Sequence, residues 1–314
     1  MRLVDAAQID RLLDYPGLIG ALGAAFRGEY VVPKRHHHEI SPSATHLLMP
    51  AWSGGAPKPG AFLGTKLVNI FTQNAALALP AVSGTYVLQS GETGQPLCVM
   101  DGTRLTVWRT AAVSALAASF LARTDATHML MVGAGALAPE LIRAHCAVRP
   151  INRVTLWNRN RTSSEKLAAT LAGTGLSLDI ADDLASAAAL ADLISTATLS
   201  QQPLILGEWL KPGTHLDLVG AFNLHMREAD DKAVQMAQVF IDTPAAKVEG
   251  GDVALSLDSG AIFDSHILGD LADLASGKHA GRTEDTAITL FKSVGTAISD
   301  LAAAMLVWQR LQNS

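Results

Sequence analysis

Only two cysteines, Cys98 and Cys146, occur in the 314-residue chain. They stand far apart and offer neither a zinc-binding spacing nor a disulfide framework, so a reducing cytoplasm is the expected setting. Charge is sparse as well: 17% of the residues are Asp, Glu, Lys or Arg, and 24 basic residues against 29 acidic ones leave a formal net charge of −5. The basic residues are dispersed, which argues against a nucleic-acid partner. No apolar run reaches the roughly 18 residues that a bilayer requires, the stretch from Thr110 to Ala122 falls short, and no apolar segment follows a basic start behind Met1. No membrane partner is expected. Gly-x-Ser-x-Gly and Walker-type loops are missing too, so acyl transfer and nucleotide hydrolysis have no support.

What the chain has is apolar residues, 49% of the total, with alanine prominent, and length enough for two domains with a large core. The composition suits a compact protein that buries further surface by self-association. The most informative stretch runs from Thr127 to Arg161. An apolar run, Met129 to Val132, ends in Gly133-Ala134-Gly135, and Leu137, Leu141, Ile142, His145 and Val148 follow at helical spacing. With Val154 to Trp157 as a second strand, the stretch reads as a βαβ unit. Its glycine turn is the kind that brings backbone close to a pyrophosphate at a helix N-terminus, with Ala138 in the place of the third glycine. The alternative is an ordinary turn in an α/β domain. At the tip of the second strand, Asn158, Arg159 and Arg161 stand where an NAD site usually places a carboxylate. A 2′-phosphate is held by a guanidinium and repelled by a carboxylate, so NADPH is favoured, with NADH admitted. The plain alternative is that these arginines are solvated charges.

Along the chain, Asp5 to Phe26 reads as two short helices around Pro16-Gly17. Val31-Val32-Pro33, Thr45 to Met49, Phe62 to Phe71, Ser83 to Gln89 and Pro96 to Asp101 read as strands, with Gly91 to Gly94 as a hairpin turn. A small-residue helix, Thr110 to Ala122, leads into the βαβ unit. Alternation continues with helices at Ser163 to Leu171, Asp183 to Leu190 and Glu228 to Met236, and strands at Leu176 to Ile180, Leu193 to Thr196, His215 to Val219 and Val239 to Asp242. Such alternation predicts a doubly wound parallel sheet. From Thr283, the steps through Phe291, Val294, Ile298, Leu301, Met305 and Trp308 predict one long terminal helix that returns to the first domain.

Three cations stand out in the β-rich part: Arg35, Lys66 within an apolar strand, and Arg109. A buried lysine needs a partner, and with no acidic neighbour in sequence the choice lies between a ligand carboxylate and a distant protein carboxylate or snorkelling. His36-His37-His38 invites a metal reading. Consecutive residues on an extended chain point to opposite sides, so no metal site is expected. His46 is either a polar rim residue or a proton donor.

A set of motifs then narrows the reading. Leu48-Met49-Pro50, Gly64-Thr65-Lys66-Leu67-Val68, Val99-Met100-Asp101-Gly102, Arg109-Thr110-Ala111-Ala112, Val132-Gly133-Ala134-Gly135, Val219-Gly220-Ala221, Arg227-Glu228 and Thr289 to Gly295, in this order and spacing, resemble the ornithine cyclodeaminase and mu-crystallin family over nearly the whole length. The resemblance implies an α/β fold. A β-rich α+β substrate-binding and dimerisation domain (1–122 and 286–314) would be joined to a Rossmann NAD(P)-binding domain (123–285), and the chain would form a homodimer. It implies that Arg35, Lys66 and Arg109 grip a substrate carboxylate, Lys66 and Arg109 being the catalytic candidates. It also implies cofactor contacts from Thr85, Gly133, Ala134, Gly135, Ala136, Leu137, Asn158, Arg159, Arg161, Thr198, Val219 and Ser293. Relatives commonly carry glutamine where Leu137 stands, which removes one polar contact.

Phe222 is the largest departure. Cyclodeaminases carry an aspartate at this position to manage protons on the departing amino group, and phenylalanine has no such chemistry. The stretch Thr45 to Leu48 also lacks the acidic residue that holds a distal amine. Val219-Gly220-Ala221-Phe222 followed by Met226 to Asp231 resembles the reductases of Δ1-pyrroline-2-carboxylate and its six-membered analogue. An NAD(P)H-dependent reductase of cyclic ketimino acids is therefore expected, with Phe222 as an apolar substrate wall. Ornithine cyclodeamination, amino-acid dehydrogenation, and non-catalytic binding of NADPH and a small carboxylate are the alternatives.

Overall fold

The computed structural model describes residues 1–77 and 79–313. The chain divides into two compact units, Met1–Arg109 with Thr296–Ser314, and Thr110–Gly295. The boundaries expected near 122 and 285 thus move to 109 and 295, because the helix before the first and the strand before the second belong differently than their apolar patterns suggested.

The first unit opens with β1 (Arg2–Val4), α1 (Ala6–Leu12) and α2 (Tyr15–Arg27). Asp5 and Gln8 form a reciprocal capping box at α1, and Asp14 caps α2 ahead of Pro16. Then come β2 (Tyr30–Val31), β3 (His36–Ser41), β4 (Ala44–Ser53), β5 (Phe62–Phe71), β6 (Val82–Ser90) and β7 (Pro96–Asp101). They form a sheet in the order β1-β7-β6-β5-β4-β2, with β3 also pairing with β4. β1 runs parallel to β7, and the other pairs are antiparallel. β3 escaped the sequence reading because His36 to Ile40 are exposed along its length and so carry no alternation. The rings of His36 and His38 stack at 6.3 Å.

Helix α3 spans Gly102–Leu121 and so starts well before the expected Thr110. Asp101 supplies the cap, accepting from the Arg104 N–H at 2.8 Å, and Leu105 and Trp108 are already on the buried face.

The second unit continues with β8 (His128–Val132), α4 (Ala138–Cys146), β9 (Arg153–Trp157), α5 (Arg161–Thr170), β10 (Ser177–Ile180), α6 (Leu184–Leu190), β11 (Leu193–Thr196), β12 (His215–Leu218), α7 (Asp231–Met236), β13 (Gln238–Ile241), α8 (Ala246–Glu249), α9 (Gly251–Asp258), β14 (Ile267–Asp270), α10 (Leu271–Ala275) and β15 (Thr289–Lys292). Eight strands form one sheet in the order β10-β9-β8-β11-β12-β15-β13-β14, parallel at every pair. This is the doubly wound α/β arrangement expected from the alternation. Leu130, Val132, Ile194, Leu216, Leu218, Val239 and Leu290 line one core of the unit.

The long terminal helix does not form. Thr289 to Lys292 is a strand, buried at every residue, inserted between β12 and β13. A short strand buried on both faces has no period-2 signature, so its apolar residues merged with the helical steps that follow. Gly295 turns the chain at φ 81°, and α11 (Ala297–Gln312) completes the first unit. It packs on α2, β4 and β5, and Arg310 pairs with Asp14 at 2.6 Å. α7 likewise starts later than expected, at Asp231 behind its cap Asp230, and leaves Glu228 in the preceding loop.

Candidate active site

In the first unit, three ionised side chains meet in a space that water does not reach. Lys66 on β5 sits opposite Met49 and Tyr86 in the sheet register, on the face covered by α11. Its Nζ lies 2.8 Å from Asp300 Oδ2 and donates to Oδ1 at 3.0 Å. Arg109 Nε stands 2.9 Å from the same Oδ1. Relative exposures are 2% for Lys66, 6% for Arg109 and 0% for Asp300, so solvent cannot screen the charges. Burial pushes the Lys66 ammonium down to about 8, with the Arg109 and Arg35 charges adding to the depression and Asp300 opposing it. Arg35 is therefore within electrostatic reach, and all three predicted cations act on one locality. Tyr86 is fully buried, and its hydroxyl is raised well above its ordinary value, first by burial and then by Asp300. The Tyr86 ring lies so close to Gly64 that any Cβ at 64 would collide with it.

The distant protein carboxylate for Lys66 therefore exists. It does not balance the site: Lys66 and Arg109 share one carboxylate, and the excess positive charge in a desolvated place is what an anionic ligand would relieve. His46 takes no part. Its Nδ1 meets Asn69 Oδ1 at 2.8 Å, and its register places it on the sheet face opposite Lys66.

In the second unit, a cavity of about 320 Å³ is lined by Gly133, Ala134, Gly135, Trp157, Asn158, Arg159, Asn160, Ala197, Thr198, Leu199, Ser200 and Leu204. Ala136 lines a second hollow with Ala134, Gly135 and Lys166. Gly133 is required twice over, by its φ of 106° and because a Cβ would meet Ala197 O at 2.6 Å. A Cβ on Gly135 would meet nothing within 4 Å, leaving backbone open to the cavity. The following helix has Leu137 at its cap with no side-chain hydrogen bond; its Ala138 N–H donates to Gly135 O at 3.1 Å and Pro139 has no N–H, so the helix offers the turn its dipole rather than a row of donors. These features fit a dinucleotide pyrophosphate. Arg161 pairs with Glu165 at 3.3 Å and with Asp182, all three side chains more than half exposed, while Arg159 lines the cavity.

Behind this cavity lies a second buried charge cluster. Glu228 Oε1 accepts from the N–H and hydroxyl of Thr198 at 2.7 and 2.8 Å, and Oε2 accepts from Thr196 Oγ1 at 2.8 Å. Asp252 accepts from the N–H groups of Glu228 and Ala229 at 2.7 and 3.0 Å. Lys292 pairs with Asp252 at 3.1 Å and donates to the carbonyls of Leu218 and Gly220. Burial, then Asp252, pushes Glu228 up to about 7, against the pull of Lys292 and the threonines. The cluster fixes the ends of β11 and β12, where Thr198 and Val219 sit. Ala221 there has φ 46°, a strained value for a non-glycine residue, and the next residue, Phe222, is 45% exposed. Ser293 is buried beside Lys292, and its N–H donates to Leu218 O at 3.3 Å. Thr85 lies in the first unit, exposed on β6 opposite Leu67 and Asp101. Elsewhere in the sheet, Ser195 Oγ and His145 Nε2 both meet Asp217 Oδ2, at 2.7 and 3.1 Å. The serine contacts the carboxylate and not the imidazole, so no activated nucleophile results.

Sequence reasoning missed Asp300, Asp252 and Lys292. Asp300 carried a signal: it is the one charged residue between Ala297 and Gln309, on a helix face that Ile298 and Leu301 already mark as buried.

The sequence profile of the ornithine cyclodeaminase/mu-crystallin family matches residues 4–314. The chain belongs to that family. Among similar proteins, Protein SAR DEFICIENT 4 of Arabidopsis thaliana is 45% identical over 280 residues, covering 88% of this chain and 86% of the relative. A Δ1-pyrroline-2-carboxylate reductase of Paracoccus denitrificans is 38% identical over 288 residues, 90% of each chain. The solved structure of Thermococcus litoralis Δ1-pyrroline-2-carboxylate reductase in complex with NADH and L-proline superposes with a TM-score of 0.93 at 30% identity, covering 100% of this chain and 98% of that one. The ornithine cyclodeaminase/mu-crystallin fold, the α/β class and the parallel dinucleotide-type sheet thus agree. No helix among the described residues is long and apolar enough to cross a membrane.

Proposed function

We propose that this chain is an NAD(P)H-dependent reductase of cyclic ketimino acids, taking Δ1-pyrroline-2-carboxylate to L-proline and Δ1-piperideine-2-carboxylate to L-pipecolate. The observation that carries the reading is the imbalance at Asp300: Lys66 and Arg109, both buried, share a single carboxylate. Residues 1–109 and 296–314 form the substrate-binding and dimerising part of a homodimer, and residues 110–295 the cofactor-binding part.

Lys66 and Arg109, with Arg35 beside them, hold the substrate carboxylate and so fix the ring. When bound, the cofactor supplies a hydride to the imine carbon. The iminium brings its proton from solution, the C=N π pair becomes the nitrogen lone pair, and a secondary amine is formed. A protonated imine is already electrophilic, so the protein's work is positioning and exclusion of water. Phe222 stands where cyclodeaminases carry an aspartate and offers no base for removing an amino group. Gly133, Ala134, Gly135, Asn158 and Thr198 hold the dinucleotide, and Arg159 meets a 2′-phosphate, which favours NADPH while NADH remains usable.

One assay tests the proposal. NADPH oxidation followed at 340 nm with Δ1-pyrroline-2-carboxylate and Δ1-piperideine-2-carboxylate is expected to proceed, and ammonia release from ornithine is not. Ornithine deamination by the wild-type protein, or tight NADPH binding with no turnover of either imine, would replace this reading by a cyclodeaminase or a binding protein.

A further inference from the structure

We infer that Asp300 is the positioning residue of the carboxylate site: it fixes the Lys66 ammonium and the Arg109 guanidinium side by side, so that their remaining N–H donors converge on one carboxylate. The inference rests on the function proposed above and assigns the residue that assembles its anion grip. Asp300 lies in the first turn of α11, where the helix dipole favours a carboxylate. Oδ1 is engaged by Arg109 Nε at 2.9 Å and by Lys66 at 3.0 Å, and Oδ2 by Lys66 at 2.8 Å. The 2.9 Å contact with Asp300 is an ion pair at Nε without hydrogen-bond alignment, and it leaves the two terminal nitrogens of Arg109 as a fork suited to a planar carboxylate.

The groups around Lys66 leave Asp300 no substitute. Arg109 and Thr106 face it from α3, the Thr106 hydroxyl 3.4 Å away. Tyr86 sits opposite it on β6 and Met49 on β4, and Arg35 acts on it from the segment between β2 and β3. Among these described groups, Asp300 is the carboxylate that contacts Lys66. Without its charge, two cations would face each other in a desolvated place, and Lys66, already held down to about 8, would give up its proton near neutral pH.

The test combines a direct titration of Lys66 with kinetics. The ¹³Cε signal of Lys66, assigned with Lys66→Arg, is followed against pH in wild type, Asp300→Asn and Asp300→Glu. In Asp300→Asn the midpoint is expected to fall by about one unit or more, and KM for Δ1-pyrroline-2-carboxylate at pH 7.5 to rise about thirtyfold, with a smaller change in kcat. Asp300→Glu restores the charge one methylene out of place: the midpoint returns, and KM settles roughly three- to tenfold above wild type. An unmoved Lys66 midpoint in Asp300→Asn, or a fall in kcat with KM unchanged, would overturn the inference. Should Asp300→Asn not fold, Asp300→Glu decides alone, since a KM equal to wild type would exclude positioning. A wild type that reduces neither imine defeats the proposed reaction, while the Lys66 titration still decides on Asp300.

Discussion

The two buried charge clusters of this protein have opposite imbalances. In the first unit Lys66 and Arg109 share Asp300; in the second, Glu228 and Asp252 share Lys292. Surplus carboxylate can correct itself, because a buried carboxyl takes up a proton. Glu228, pushed up to about 7, with its oxygens occupied by Thr196 and Thr198, is such a self-contained brace. Surplus guanidinium has no such exit, since arginine does not give up its proton in proteins. In the first cluster only Lys66, held down to about 8, can lose its charge, and that at alkaline pH; at neutral pH the surplus left over Asp300 is what an anionic ligand would balance. On the proposed reading, the sign of the imbalance separates the carboxylate site from the scaffold.

The largest effect that would test this contrast is at Arg109. Arg109→Ala is expected to raise KM strongly and lower kcat as well, with a combined loss of about 3 kcal/mol or more, roughly a hundredfold in kcat/KM. Near-normal kinetics would remove the cationic cluster from the site. A smaller effect is expected at the cofactor cavity, where Arg159→Ala should weaken NADPH by about tenfold and NADH little, as measured by fluorescence titration of both. Equal losses would mean that the guanidinium contacts a part common to the two cofactors.

The smallest effect concerns the brace. Glu228 moves from its ordinary 4.5 to about 7 in the folded protein. Between these values the folded state binds more protons than the unfolded one, so stability falls as pH rises through that window and the cost is complete above it. Glu228→Gln keeps the shape, and its amide can still meet both threonines. The melting temperature of wild type relative to Glu228→Gln should therefore decline between pH 5 and pH 8 in calorimetry. Parallel curves would show that Glu228 does not titrate there.

How much of this was legible in the sequence follows the range of the interactions. The Gly133 turn and the parallel sheet were legible because local steric need and alternation write themselves into adjacent residues. The cations Lys66 and Arg109 were legible because a charge in an apolar run is conspicuous. Their convergence on Asp300 was not, because it joins residues 234 positions apart and the aspartate lay in a segment assigned wholly to one helix. β15 was lost for the same reason: Thr289 to Lys292 is buried on both faces, and only its neighbours β12 and β13 make it a strand. The pairing of Arg161 with Asp182 was not legible either, because Asp182 arrives from beyond the next strand.

The central claim is that a surplus of buried cations selects a ring imine by its carboxylate. The direct measurement compares wild-type kcat/KM, with NADPH, for Δ1-pyrroline-2-carboxylate and for Δ1-pyrroline, the same ring without the carboxylate, from pH 6.5 to 9.5. The carboxylated ring is expected to be preferred on the order of a hundredfold or more at neutral pH. That preference should shrink as pH rises through about 8, where Lys66 loses its charge. Equal rates for the two rings, or a preference that does not change with pH, would contradict the account.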